Sequence, residues 1–279
     1  MAGLLKTALS SHTFVYALSA LLAAVLAVFV LVYLRRKAVK QGNYILLLGP
    51  SDAGKTSILA LLTWGIYMPT QTSMQVNETE IHKPHAYRLV DVPGHPRIRA
   101  QFSEYLNMAK AIVFVVDSST ISRNGPAVAE HLHTVLHAIS QLPPSAYVPP
   151  VLIHAHKSDL VTLPSTASSD RGGRNELAAT RVRTILEREL EKRHQSSLVG
   201  VGVGALGEED PSAGAEGVSG GLECTGKGAF AFERWEGGEI SCIGGCVTPR
   251  SASKEESNSP AEKAAYDGLE ELVRWLASL

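Results

Sequence analysis

From residue 44 onward, short apolar runs alternate with polar, periodic segments, the pattern of a parallel sheet flanked by helices. Tyr44–Leu48, Tyr87–Val92, Ala111–Asp117 and Val151–His156 predict strands, the third being the clearest buried one. Between the last two, residues 125–142 place Val128, Leu132, Val135, Leu136 and Ile139 at helical spacing. Glu130, His131, His133 and His137 fall mostly on the other faces, which predicts a solvated histidine side rather than a metal site.

Residues 175–194 pair Glu187 and Glu189 with Arg183, Arg188 and Lys192 at spacings that support an exposed helix. Ser196–Gly221 holds eight glycines in 26 residues and reads as a flexible insertion. Phe230–Trp235 reads as another extended segment. Ser259-Pro260-Ala261-Glu262 is a capping box with proline at the first helical position. Leu269, Leu272, Val273 and Leu276 then form the buried stripe of a closing helix.

The first 43 residues follow another pattern. Thr13–Leu34 runs 22 residues without a charge, and a helix of that length reaches about 33 Å, enough for a hydrocarbon core of about 30 Å. It is too long for the apolar region of a cleaved secretory signal, and it ends in Arg35-Arg36-Lys37. Cations after the span outweigh Lys6 before it, so the C-terminal side is expected in the cytosol. The expected organisation is a luminal tail at 1–12, a transmembrane helix at 13–34, a basic linker at 35–43 and one cytosolic domain at 44–279. A single span does not make a channel or transporter.

Charge sharpens this division. Lys plus Arg total 26 against 27 Asp plus Glu, a net charge of −1, yet residues 1–43 carry +5 and the remainder −6. The body has no electrostatic reason to seek nucleic acid. Three cysteines, Cys224, Cys242 and Cys246, imply no disulfide framework, and no nearby Cys or His completes a zinc site.

Candidate chemistry begins at Gly49-Pro50-Ser51-Asp52-Ala53-Gly54-Lys55-Thr56, followed by Ser57 at the start of a helix. Two glycines at this spacing before Lys and Thr form a phosphate loop, whose backbone N–H groups turn toward phosphate oxygens. Lys55 would reach the β and γ phosphates, and Thr56 would offer a hydroxyl to Mg²⁺. Asp91 ends a second strand where a metal-linked acid is required, and Gly94 follows it. In His156-Lys157-Ser158-Asp159, the Asp159 carboxylate suits guanine N1–H and N2–H₂, which favours GTP over ATP.

Together these motifs resemble the P-loop GTPase superfamily of Ras, Arf and Sar proteins, and more closely the family of signal recognition particle receptor beta subunits. The closer likeness rests on the single N-terminal span, Asp52-Ala53-Gly54-Lys55-Thr56, Thr70-Gln71-Thr72-Ser73, Asp91-Val92-Pro93-Gly94-His95 and Ala111–Ser118. It implies an α/β domain with a mainly parallel sheet flanked by helices behind a transmembrane helix, with GTP and Mg²⁺ as ligands. By the resemblance, Thr72 is the switch threonine that joins Thr56 and, through water, Asp91 at the cation, with Thr70 and Ser73 close enough in the chain to compete for the role. His95 stands where related enzymes place the residue that orients water, although it could equally pack beside the switch. Turnover is then expected to be slow or partner-dependent.

His156 replaces the family's usual Asn, which weakens the base contact. The last guanine loop is expected at Cys242-Ile243-Gly244, with Thr225-Gly226-Lys227 as the other candidate. The implied partners are the receptor's alpha subunit, in a heterodimer at the endoplasmic reticulum membrane, with the translocon and ribosome as further candidates. Two other functions remain open: an Arf- or Sar-like GTPase of vesicle budding, and a GTP-bound membrane scaffold without turnover.

Overall fold

The four expected strands form the centre of a six-stranded sheet in a computed structural model, which describes residues 21–22, 42–82, 86–162, 171–203, 222, 229–247 and 268–279. The strands are β1 (Tyr44–Leu48), β2 (Asn77–Ile81), β3 (Tyr87–Asp91), β4 (Ala109–Asp117), β5 (Val151–His156) and β6 (Ile240–Gly244). They lie in the order β2-β3-β1-β4-β5-β6, with β2 antiparallel to β3 and the other neighbours parallel. Among the described residues that follow β1, the helices are α1 (Lys55–Trp64), α2 (Phe102–Leu106), α3 (Ile121–Ser140), α4 (Arg171–Val203) and α5 (Glu270–Ser278).

Both faces of the central strands are covered, which explains why these strands are continuously apolar rather than alternating. Leu46, Leu48, Ile112, Phe114 and Ile153 pack with Val128 and Leu132 of α3 and Val182 and Leu186 of α4. Ile45, Leu47, Val113, Val115 and Leu152 pack with Ile58 and Leu62 of α1 and Leu272 and Leu276 of α5. Each fully buried Leu or Ile contributes about 2 kcal/mol. The parallel strands end at one edge of the sheet, and the loops leaving that edge carry the candidate site, as is general for open α/β sheets.

Several expectations are corrected. Strand β2 had no apolar signal because its sequence, Asn-Glu-Thr-Glu-Ile, is mostly exposed at the sheet edge and buries Ile81. His131 is not on a solvated face: it is buried, with its ring edge-on to Phe114 at 5.3 Å between centroids. Helix α4 continues to Val203, into the stretch expected to be flexible from Ser196, since extending a helix needs no new nucleation. Within residues 230–235, Phe232–Arg234 forms a 3-10 turn instead of an extended run, and Phe230, Phe232 and Trp235 are buried in the core.

Other expectations fall outside the described residues. These are the span Thr13–Leu34 except Leu21 and Leu22, which are helical and exposed, the capping box Ser259–Glu262, Thr225-Gly226-Lys227, and residues 204–221. Among the described residues no helix is long and apolar enough to cross a membrane. The chain divides into two units, Met1–Lys40 and Gln41–Leu279, and the second carries the sheet.

Candidate nucleotide site

The loop between β1 and α1 winds around the start of the helix because its glycines accept backbone geometry and contacts that other residues resist. Gly54 has φ +99°, and a Cβ there would stand 2.4 Å from Cδ2 of His156. Gly94, after β3, lies so close to the loop that a Cβ would stand 2.4 Å from Gly49 O and Ser51 N. Asp52 also takes a left-handed conformation, with φ 62°, which Asp tolerates better than most residues.

Lys55 is buried under this loop, and its Nζ donates to Gly49 O at 3.0 Å and Pro50 O at 2.8 Å. Burial lowers the pKa of its ammonium, opposed by the charges of Asp91 and Asp52. Strand pairing sets Asp91 opposite Leu47, two residues before Gly49. Thr56 Oγ1 donates to Asp91 Oδ2 at 2.6 Å and shares a 2.8 Å hydrogen bond with Ser73 Oγ. Burial raises the Asp91 pKa, opposed by the Thr56 hydrogen bond and the Lys55 charge.

These oxygens fit a hard divalent cation such as Mg²⁺, which prefers carboxylate and hydroxyl oxygens and completes its shell with phosphate and water. Asp91 Oδ1 is buried and has no hydrogen-bond partner among the described residues. Among the described residues no group of three or more His, Cys, Asp or Glu could hold a metal ion.

A cavity of about 330 Å³ lies between the loop and residues 67–73. It brings together Ser51, Asp52, Gly54, Lys55, Thr56, Ser57, Thr72, Gly94 and Lys157 from the sequence-derived set. Gly49, Pro50 and Ala53 belong to the same loop, and Ala53 is buried. Thr72 points to the loop rather than to Thr56: its Oγ1 donates to Asp52 Oδ1 at 2.8 Å, and its neighbour Ser73 occupies the place beside Thr56. The sequence alone favours Thr72 over its neighbours Thr70 and Ser73, because adjacent hydroxyl residues in an irregular segment carry no periodicity to tell them apart.

His95 Nδ1 accepts the N–H of Arg97 at 3.3 Å, and His95 is not among the residues lining the cavity. His156 ends β5 opposite Asp117 and lies buried beneath Gly54. Burial and the neighbouring Lys157 charge bring its pKa down to about 4, against a smaller rise from Asp117. Lys157, at φ 57°, donates to Asp117 Oδ2 and to Asp52 O, both at 2.7 Å. Asp117 is not among the sequence-derived site residues. Burial raises its carboxyl pKa, but hydrogen bonds from Lys157 and Ser119 outweigh this and leave it lowered. Asp159 is exposed on the following 3-10 turn, Ser158–Leu160.

The residues expected to form the base loop lie in a strand. Cys242, Ile243 and Gly244 are strand β6, paired with Ile153, His154 and Ala155, and Cys242 Sγ donates to Ala179 O at 3.4 Å on α4. Backbone hydrogen bonding and packing against α4 therefore occupy the residues expected to reach guanine. Gly245–Val247 follow the strand. Gly245 N–H donates to Ala155 O at 3.0 Å, and Ser158 N–H donates to Gly245 O at 3.2 Å, setting this segment against the Lys157-Ser158-Asp159 turn.

With this geometry in place, the sequence profile of the family described as signal recognition particle receptor beta subunit matches residues 40–200. The human signal recognition particle receptor subunit beta is 35% identical over 164 residues, covering 57% of this chain and 59% of its own length. A structure of the mammalian SRP receptor matches with TM-score 0.59 and 24% identity, covering 84% of this chain and 98% of that one. The SRb-GTP/SRX complex from Chaetomium thermophilum matches with TM-score 0.55 and 21% identity, covering 84% and 99%. These two structural likenesses carry the fold. The alignment with the human relative spans about three-fifths of that protein's length.

Proposed function

The chain belongs to the family of signal recognition particle receptor beta subunits, and from that premise we propose that it is a GTP-binding subunit that holds the receptor's alpha subunit at the endoplasmic reticulum membrane. The observation that carries this reading is the double role of residues 66–74. Tyr67, Pro69, Thr70, Gln71, Thr72 and Ser73 line the nucleotide cavity, while Ile66, Tyr67, Met68 and Met74 of the same segment are exposed. Exposed apolar side chains in such a group suit a protein partner. A bound nucleotide that orders the segment would thereby order the partner's surface.

In this reading the phosphate loop and Lys55 hold the phosphates of GTP, Thr56 and Asp91 hold Mg²⁺, and Asp159 faces the guanine edge. Mg²⁺ supplies charge neutralisation of the phosphates when bound. The bond from Arg97 to His95 favours slow or partner-dependent turnover, because it commits the imidazole to its own turn. The uncharged run Thr13–Leu34 supplies the anchor, with residues 1–12 in the lumen and the GTP-binding domain in the cytosol.

Lys55→Ala and Thr56→Asn in the full chain test the proposal. Both are expected to lose capture of the alpha subunit while remaining in the membrane fraction after alkaline carbonate extraction. Undiminished capture by either variant contradicts the nucleotide-controlled partner surface, and release of the wild-type chain by carbonate contradicts the anchor.

A further inference from the structure

Residues 69–73 form a strap along the cavity, joined to the phosphate loop and the start of α1 by hydroxyl hydrogen bonds. Thr70 Oγ1 shares one with Ser57 Oγ at 2.9 Å, Thr72 donates to Asp52 Oδ1 at 2.8 Å, and Ser73 shares one with Thr56 at 2.8 Å. Adjacent residues therefore address different targets. Ser73 is half-buried beside the Thr56 and Asp91 oxygens, whereas Thr72 and Asp52 are both exposed. The anchor for Thr72 is itself tied down, because the Asp52 carbonyl accepts Lys157 Nζ at 2.7 Å and Lys157 is also paired with Asp117.

We infer that Asp52 and Thr72 form a latch that holds the strap closed over the nucleotide, and that Ser73 is the strap hydroxyl that serves the cation position. This inference rests on the reading of the cavity as a Mg²⁺·GTP site and specifies how nucleotide release is controlled there. Thr72 is a positioning residue. Its hydroxyl proton is directed to a carboxylate on the phosphate loop, while Ser73 Oγ meets the hydroxyl that joins it to Asp91. The two roles separate experimentally: a latch sets how fast nucleotide leaves at any Mg²⁺ concentration, and a cation ligand sets how much Mg²⁺ is needed to slow its departure.

The test is the release rate of a fluorescent GTP analogue from the full chain in detergent, measured across a Mg²⁺ titration. Thr72→Val and Asp52→Gly, which keeps the left-handed backbone and removes the acceptor, are expected to release it about tenfold faster at saturating Mg²⁺, with the Mg²⁺ midpoint unchanged. Ser73→Ala is expected to raise the midpoint about tenfold, and Ser73→Thr, which keeps a hydroxyl, to restore it. A midpoint shift in Thr72→Val without one in Ser73→Ala, or wild-type release from both latch variants, overturns the inference while leaving GTP binding intact. Failure of the wild-type chain to retain the analogue at any Mg²⁺ concentration overturns the GTP reading and the latch together. The expected Mg²⁺-dependent retention by wild type supports the GTP reading, and the opposed variant effects support the division of roles.

Discussion

The imidazole of His156 occupies the space into which a side chain at Gly54 would project, since a Cβ on Gly54 would stand 2.4 Å from Cδ2 and 2.7 Å from Nε2 of that ring. The end of β5 and the phosphate loop are thus fitted to one another by a histidine and a glycine. Gly54→Ala is expected to destabilise the fold by about 1–3 kcal/mol, through the contact and the positive φ together. Adding His156→Ala is expected to recover the contact part and leave the backbone part. Urea denaturation of the two variants measures both, and equal stability of Gly54→Ala and wild type would contradict the fit.

The same histidine makes stability depend on acidity. His156 and His131 are buried, with burial the main cause of pKa values lowered to about 4 and about 3, and burial puts His154 well below the ordinary value. Between pH ~6.5 and those lower values the unfolded chain binds protons that the fold refuses, so stability falls as pH falls through this window. The loss is about 1.4 kcal/mol per pH unit for each such histidine and stops below its folded pKa. Denaturation midpoints are expected to drop from pH 7 to pH 5, and His156→Asn to shallow the slope. A pH-independent midpoint over that range contradicts the assignment of these residues as neutral in the fold.

Asp117 joins two structures at once. Its Oδ1 accepts the Ser119 N–H and hydroxyl at 2.9 and 2.6 Å at the entry to α3, and its Oδ2 accepts Lys157 at 2.7 Å. Asp117→Ala is expected to lower stability by about 1–3 kcal/mol. A double-mutant cycle with Lys157→Met should assign about 1 kcal/mol of this to the pair, whose side chains are 14% and 30% exposed. A coupling energy near zero would mean that Asp117 acts through the turn alone.

Cys242 tests whether a residue of strand β6 takes part in base recognition. Burial pushes its thiol pKa up to about 12, so it is expected to resist alkylation in the native chain at neutral pH. Cys242→Ala should weaken folding without lowering the preference for guanine over adenine nucleotides, as competition binding would measure. Selective loss of guanine preference would return this residue to the base site.

How much of this was legible depended on how local each signal is. The phosphate loop could be read because Gly49, Gly54, Lys55 and Thr56 lie within eight residues and act through their own backbone. The central strands could be read because burial on both faces leaves them continuously apolar. Strand β2 could not, since its place comes from pairing with β3 and its own residues are polar. Strand β6 reads as a loop in the sequence because the pairing of Cys242 with Ile153 spans 89 positions and leaves no trace in the local letters. His131 reads as solvated on polarity alone, whereas its contact with Phe114 puts it in the core. Thr72 and Ser73 differ in the direction of their hydroxyls, which chain folding decides.

We propose that bound nucleotide controls the partner surface through residues 66–74. Its most direct test is the dissociation constant of the receptor's alpha subunit for the full chain loaded with a non-hydrolysable GTP analogue or with GDP, in matched detergent and Mg²⁺. Binding at least about tenfold tighter in the GTP form is expected, an interaction difference of about 1.4 kcal/mol. Equal affinity of the two forms would contradict it.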